Sequence, residues 1–234
     1  MLFSWRRAAD RNGKISHTRR SKPSRSYRPV LEGLENRWAP AVVTVTTTAD
    51  DLTPLDGSVS LREAITAINA GNTLGDPDIM NQNPGTFGVN DTIAFNIPQP
   101  ADGPVVKTIN VGGSGNGALP AITRPALVNG YLEPGASPNT LAIGDNAVLK
   151  IVLDGSQAGA VDGLVIAGGN STVRGLAIDN FAYGSGIVLN GSGNDVVPCI
   201  GIHVVVDRNN CITFLRYSVL IVISVHRKGQ PPLL

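Results

Sequence analysis

Cysteine is nearly missing from this 234-residue chain. The two that occur, Cys199 and Cys211, stand near the C-terminal end, so a disulfide between them would stabilise little of the body. Aromatic residues make up 5% of the chain and charged residues 16%, both low for a globular enzyme. Histidine is absent between His17 and His203. No apolar run reaches the ~20 residues of a membrane-spanning helix. The nearest, Cys211–Val225, is broken by Arg216. These shortages argue against a disulfide-stapled domain and a helical membrane protein, and they leave little for histidine chemistry. What is plentiful is glycine, with 27 residues, which favours many short strands parted by tight turns. The chain is also long enough to bury a sizeable core.

Charge is unevenly placed. Residues 1–37 carry ten Lys/Arg against three acids, residues 38–199 carry five against fourteen, and residues 200–234 carry four against Asp207. A basic head on an acidic, Gly-rich body reads as an address segment ahead of a mature domain. The head lacks apolar periodicity and a signal-peptide core. Arg19-Arg20 is followed by Ser21-Lys22-Pro23 rather than by an apolar stretch. Its composition predicts disorder, and with so few interleaved aromatics it does not read as a nucleic-acid arm.

The body opens with Val42-Val43-Thr44-Val45-Thr46-Thr47-Thr48, β-branched throughout and therefore suited to a pleated strand. Asp50-Asp51 and Pro54-Leu55-Asp56-Gly57 supply turn chemistry. Ser60-Leu61-Arg62-Glu63 then forms a capping box, with Leu61, Ala64, Ile65 and Ile68 on one apolar face and Asn69-Ala70-Gly71 as the stop. This predicts a helix over 61–70. At about ten residues it is marginal alone and must cover something. In this reading Arg62 and Glu63 serve as cap and surface charge rather than as a catalytic pair.

From residue 105 the text alternates apolar segment and turn: Thr108–Val111, Ala126–Val128, Val148–Leu153, Gly163–Ile166, Val173–Ile178 and Gly186–Leu189. Gly163-Leu164-Val165-Ile166 is echoed 23 residues later by Gly186-Ile187-Val188-Leu189, and Thr172-Val173 by Asp195-Val196. A period in the low twenties fits one coil of a parallel β-helix, whose coils bury their inward residues only by stacking. Asn170 and Asn194 are expected to stack as an amide ladder.

Two stretches resemble known families. Leu31-Glu32-Gly33-Leu34-Glu35-Asn36-Arg37, leading to Trp38-Ala39-Pro40-Ala41, resembles the Leu-Glu-x-Arg motif at the N-terminus of large planctomycete extracellular proteins, with Asn36 where that family often has Pro. The resemblance implies export. Val59-Ser60-Leu61-Arg62-Glu63-Ala64, with Asp91-Thr92-Ile93-Ala94-Phe95 further on, resembles the Cys-Ser-Leu-Arg-Glu-Ala module that precedes right-handed parallel β-helices (pectin-lyase-like repeats) in bacterial surface proteins. Val59 replaces its Cys. That likeness covers roughly residues 42–97 and implies that the helix closes the first end of a solenoid.

Sugar-cleaving enzymes use the same architecture, and the candidates here are Asp154, Asp162 and Asp179 with Arg174. Asp followed by Gly or Asn at a strand end is also an ordinary turn opener. Asp50, Asp51 and Asp56 are the nearest approach to a Ca²⁺ cluster, without EF-hand or nonapeptide spacing. The sequons at Asn90, Asn170 and Asn190 arise readily in such a composition. Gly112–Gly117 lacks the Lys-Ser/Thr of a phosphate loop and reads as a flexible turn.

After Val197 glycine thins to Gly201 and Gly229, and Pro198-Cys199 stands where another coil is due. We therefore expect an all-β chain: a right-handed parallel β-helix with a short N-terminal capping helix, a disordered basic leader and an irregular C-terminal tail. The divisions are leader 1–41, cap module 42–104, coils 105–197 and tail 198–234, the last reading as frameshifted or truncated sequence. The expected role is a non-catalytic, secreted or cell-surface structural or adhesive protein, a fragment of a longer one. A polysaccharide-active lyase or hydrolase is the alternative. No catalytic, cofactor-binding or metal-ligating residues are assigned, and no cofactor. Cell-surface polysaccharide or other surface proteins are the expected partners, without nucleic acid or a membrane span.

Overall fold

The computed structural model describes residues 39–88, 90–99, 105–113 and 115–197, with the backbone of two later strands at 203–206 and 222–224. Residues 1–38 of the leader and most of the tail, including Cys199, Cys211 and His226, lie outside the described residues.

Among the described residues there are twelve short strands, two α-helices and one 3-10 turn, Gly130–Leu132. β1 (Val42–Val45) leads to α1 (Leu61–Ala70) and α2 (Pro77–Asn81). Then follow β2 (Asp91–Phe95), β3 (Lys107–Asn110), β4 (Ala126–Asn129), β5 (Ile151–Asp154), β6 (Leu164–Ile166), β7 (Thr172–Arg174), β8 (Leu176–Asp179), β9 (Ile187–Leu189), β10 (Asp195–Val196), β11 (His203–Val206) and β12 (Val222–Ser224).

The strands form three wholly parallel sheets. Sheet I runs β1-β2-β4-β7-β10, sheet II β3-β5-β8 and sheet III β6-β9-β11-β12. A parallel bridge from Ile122 to Ile166 extends sheet III by one earlier position. From β2 onward the chain visits the sheets in fixed rotation: β2, β3, Ile122; then β4, β5, β6; then β7, β8, β9; then β10. The 23-residue echo in the sequence is the last such circuit, with Leu164 beside Ile187 and Thr172 beside Asp195. Within the tail expected to be irregular, β11 pairs with β9 and β12 with β11, so sheet III continues by two strands.

The core is built from columns of like residues. Val43, Ile93, Val128, Val173 and Val196 are in register across sheet I, and all are buried. Ile109, Leu153 and Ile178 stack in sheet II, while Leu164 stacks with Ile187 and Ile166 with Leu189 in sheet III. Each fully buried aliphatic contributes roughly 1.5–3 kcal/mol, and no circuit can bury its own set without the next.

α1 occupies the range its capping box predicts. Ser60 Oγ accepts the Glu63 N–H at 3.1 Å, Glu63 Oε2 accepts the Ser60 N–H at 2.7 Å, and Gly71 closes the helix in the left-handed region at φ 70°. Its face of Leu61, Ala64, Ile65, Ala67 and Ile68 is buried, and the helix packs on β1 and β2.

Two elements differ from the sequence reading. The segment Val173–Ile178, expected as one strand, is two: Gly175 at φ 73° turns the chain between β7 in sheet I and β8 in sheet II. A side chain at Gly175 would also run into Tyr131, so both the conformation and the space demand glycine. In the Pro/Gly-rich stretch 75–90 there is a short helix, α2, started by Asp76 capping the Asp78 N–H at 2.9 Å and by Pro77 in its first turn.

Candidate functional site

The four residues singled out for chemistry separate into one carboxylate pair and two bystanders. Asp154 ends β5 and Asp179 ends β8, and the two are direct register neighbours, following Asn110 of β3 in the same row. Parallel neighbours lie roughly 4.8 Å apart along a sheet, so the two side chains share one patch of surface. Asp154 Oδ1 accepts the Ser156 N–H at 2.8 Å and the Asn180 Nδ2–H at 3.1 Å; the same amide lies 3.4 Å from Asp179 Oδ1. Burial alone would raise the Asp154 pKa, but the hydrogen bonds from Ser156 and Asn180 outweigh it and hold the carboxyl below its ordinary value. Asp179 is pushed up, by burial first and then by the charge of Asp154. Two like carboxyls thus titrate apart.

Beside them an open cleft of about 310 Å³ is lined by Gly155, Ser156, Gly159, Asn180, Ala182 and Tyr183. Tyr183 is 84% exposed, so its ring is free to meet a ligand face. Phe181, on the other side of the turn, is buried against Gly155 and Gly163.

Asp162 and Arg174 are engaged away from this patch. Asp162 Oδ1 accepts the Ser185 N–H of the following circuit at 2.7 Å, a structural bond. Arg174 stands on sheet I beside Asn129, and its Nε is buried without a hydrogen-bond partner.

The acidic residues of the 50–57 loop are largely committed elsewhere. Asp50 is buried and holds Arg62 through two bonds, Nε to Oδ1 at 2.7 Å and Nη2 to Oδ2 at 2.9 Å. Arg62 is therefore not the surface charge the sequence suggests: it is 5% exposed and also donates to the carbonyls of Gly117 and Ala118. Asp50 Oδ2 in turn accepts the Gly112 N–H at 2.6 Å, and the Asp50 carbonyl accepts the Asn116 amide. Both ends of the glycine run are thereby fastened to Asp50 and Arg62, where the sequence suggests a flexible turn. Asp56 accepts from the Ser58 N–H and hydroxyl. Among the described residues no three His, Cys, Asp or Glu side chains converge where a metal ion would sit.

The expected amide ladder is replaced by a different device. Asn170 lines up with Gly193, not with Asn194, because the register offset is 23 and the two asparagines are 24 apart. Asn194 faces Ser171 and its Oδ1 accepts the Ser171 N–H at 2.9 Å. Ser171 Oγ accepts the Ala126 N–H at 3.1 Å, and two circuits earlier Asp91 Oδ1 accepts the Ala41 N–H at 3.0 Å. At this corner a polar side chain reaches back to the backbone amide one strand earlier. All three side chains are nearly or fully buried. Ser171 and Asp91 carry no signal for this in the sequence beyond standing just ahead of or at the start of β7 and β2.

Comparison with protein-family models, with curated proteins and with solved structures finds no match to this chain. Among the described residues no helix is long and apolar enough to cross a membrane.

Proposed function

We propose that residues 42–197 are the capped beginning of a right-handed parallel β-helix, and that the chain is a non-catalytic structural or adhesive part of a longer secreted or cell-surface protein. The fixed rotation through three parallel sheets supports the β-helix, and α1 on β1 and β2 supports the capped end. The observation that carries the structural role is where the buried polar groups go. Asp91, Ser171 and Asn194, all buried, each accept a backbone N–H from the strand before, and the half-buried Asp162 accepts one from the following turn, which binds circuit to circuit. The resemblance of 59–64 to the Cys-Ser-Leu-Arg-Glu-Ala module and of 31–41 to the planctomycete export motif supports a place outside the cell. Polysaccharides and other surface proteins are the partners this reading favours.

A second reading rests on one observation, the split Asp154–Asp179 pair beside the Tyr183 cleft, which suits a polysaccharide lyase or hydrolase. Release of reducing ends or unsaturated products from acidic and neutral polysaccharides separates the two. The scaffold reading expects no turnover. Turnover that vanishes in the Asp154→Asn/Asp179→Asn variant would replace it with the enzyme.

A further inference from the structure

Among the described residues six that are not glycine hold a positive φ. Four are asparagines; the other two are Leu55 at 62° and Leu74 at 58°. The left-handed region brings Cβ against the following carbonyl oxygen, a cost that the short polar side chain of Asn offsets and that of Leu does not. Elsewhere this chain meets the same backbone demand with Asn or Gly, so conformation does not call for leucine. Burial does not call for it either, since Leu55 is 71% exposed and Leu74 43%. Both stand at turn positions where Gly or Asn is usual. Leu55 follows Pro54 at the centre of one turn. Leu74 and Gly75 are the two left-handed residues of a type I′ turn, closed by the Asp76 N–H on the Thr73 carbonyl at 2.9 Å.

The two turns are stitched together. The Leu55 N–H donates to Asp76 Oδ1 at 3.4 Å, and the Gly57 N–H donates to Asp78 Oδ2 at 2.9 Å. Leu74 stands two residues before Asp76, so their Cα atoms are no more than about 7.6 Å apart. Leu52, in the same loop as Leu55, is 52% exposed. The surroundings are acidic: residues 50–80 hold six Asp and Glu against Arg62 alone. Arg62 is buried on Asp50, and Arg124, from a later turn, lies across Gly71 at the end of α1. The carboxylates of this stretch that reach solvent are Asp51, Asp56 and Asp78.

We propose that Leu52, Leu55 and Leu74 form a docking surface for a cationic, amphipathic segment of a partner protein. Its apolar side chains cover the leucines, and its Lys or Arg side chains meet Asp51, Asp56 and Asp78. Exposed apolar side chains rimmed by polar ones mark interaction sites, and strain held at a surface points to function rather than to packing. Charge selects the partner: the negative rim attracts a basic segment and repels an acidic one or an anionic lipid surface. Aliphatic side chains give a sugar nothing to hydrogen-bond, so a polysaccharide is not the occupant. The inference rests on these two turns and holds for a scaffold or an enzyme alike.

The test measures binding of two synthetic peptides to the full chain by fluorescence anisotropy, one alternating Leu with Lys and one alternating Leu with Glu. The wild type is expected to bind the Leu/Lys peptide, more weakly as salt rises, and not the Leu/Glu peptide. In Leu55→Asn/Leu74→Asn the affinity for the Leu/Lys peptide falls about tenfold or more. The thermal midpoint of that variant stays level or rises, because Asn accepts the left-handed region and Asn-Gly is the pair a type I′ turn favours. Binding of neither peptide, equal binding of both, or unchanged affinity in the variant overturns the proposal. A variant less stable than the wild type, or one that does not fold, makes the leucines packing residues and overturns it too. If the wild type self-associates and the variant does not, the occupant is a second copy and the cationic partner is overturned.

Discussion

In residues 42–104 the polar groups taken out of water are mainly ionic: Asp50, Arg62, Glu63, Asp76 and Asp91 are each less than a tenth exposed. In residues 105–197 the buried polar groups include Asn129, Ser171, Ser185 and Asn194, all neutral. The two charged exceptions there, Lys107 and Glu133, both reach back into the first region. Glu133 Oε2 accepts the Ile97 N–H at 2.9 Å, and Lys107 Nζ lies 3.4 Å from the Pro98 carbonyl. A repeating region meets the same neighbours at each circuit, so short neutral side chains bonding to backbone suffice. The first region joins unlike pieces (a strand, two helices and the distant 112–118 turn) and uses long, multivalent side chains to do it. Charge here marks the boundary of the repeat.

Variants can sharpen that contrast. The largest effect is expected from Arg62→Ala, which leaves Asp50 buried and uncompensated and frees two carbonyls of the 112–118 turn. A loss of about 4 kcal/mol in urea unfolding is anticipated, recovered in part when Asp50→Ala is added. Hydrogen exchange then reports whether protection falls in 42–104 alone or in both regions; a uniform loss would mean the two regions unfold as one. Leu153→Ala, in the middle of the sheet II column, should cost about 3 kcal/mol through lost burial and the cavity left behind. Its exchange pattern should be the mirror image, centred on 105–197. The smallest effect belongs to Asn194→Ala, about 2 kcal/mol, since it strands the buried Ser171 N–H. Asn194→Asp, which keeps an acceptor oxygen, should recover most of it above the carboxyl pKa. A variant as stable as the wild type would show that the corner bond contributes nothing.

Legibility in the sequence followed distance along the chain. α1 could be read to the residue because its cap, its apolar face and its glycine stop all lie within twelve residues. The circuits could be read from the echo at 163 and 186, since repetition is itself local evidence. The Asp50–Arg62 pair was missed because its other partners, Gly112 and Gly117, stand 62 and 55 residues away. The break at Gly175 was hidden inside apolar text that continues on both sides. The Asn170–Asn194 ladder failed by a single residue of register, a quantity fixed by pairing between circuits and not by either turn alone. For the candidate site, the pairing of Asp154 with Asp179 followed from the coil spacing. What sets them apart in titration, Ser156 and Asn180, depends on how the turn closes around them.

The corner bonds also have a direction. Ala41 waits for Asp91, Ala126 for Ser171, and Ser171 for Asn194, so an acceptor arrives with a later strand than the amide it serves. A chain emerging N-terminus first therefore leaves each of these three amides waiting until the next strand of sheet I docks, so the later strand stabilises what is already laid down. The device is confined to those three, since Ala126, which pairs with Asp91, has no polar side chain to offer it. At these corners the order of docking follows the order of the sequence.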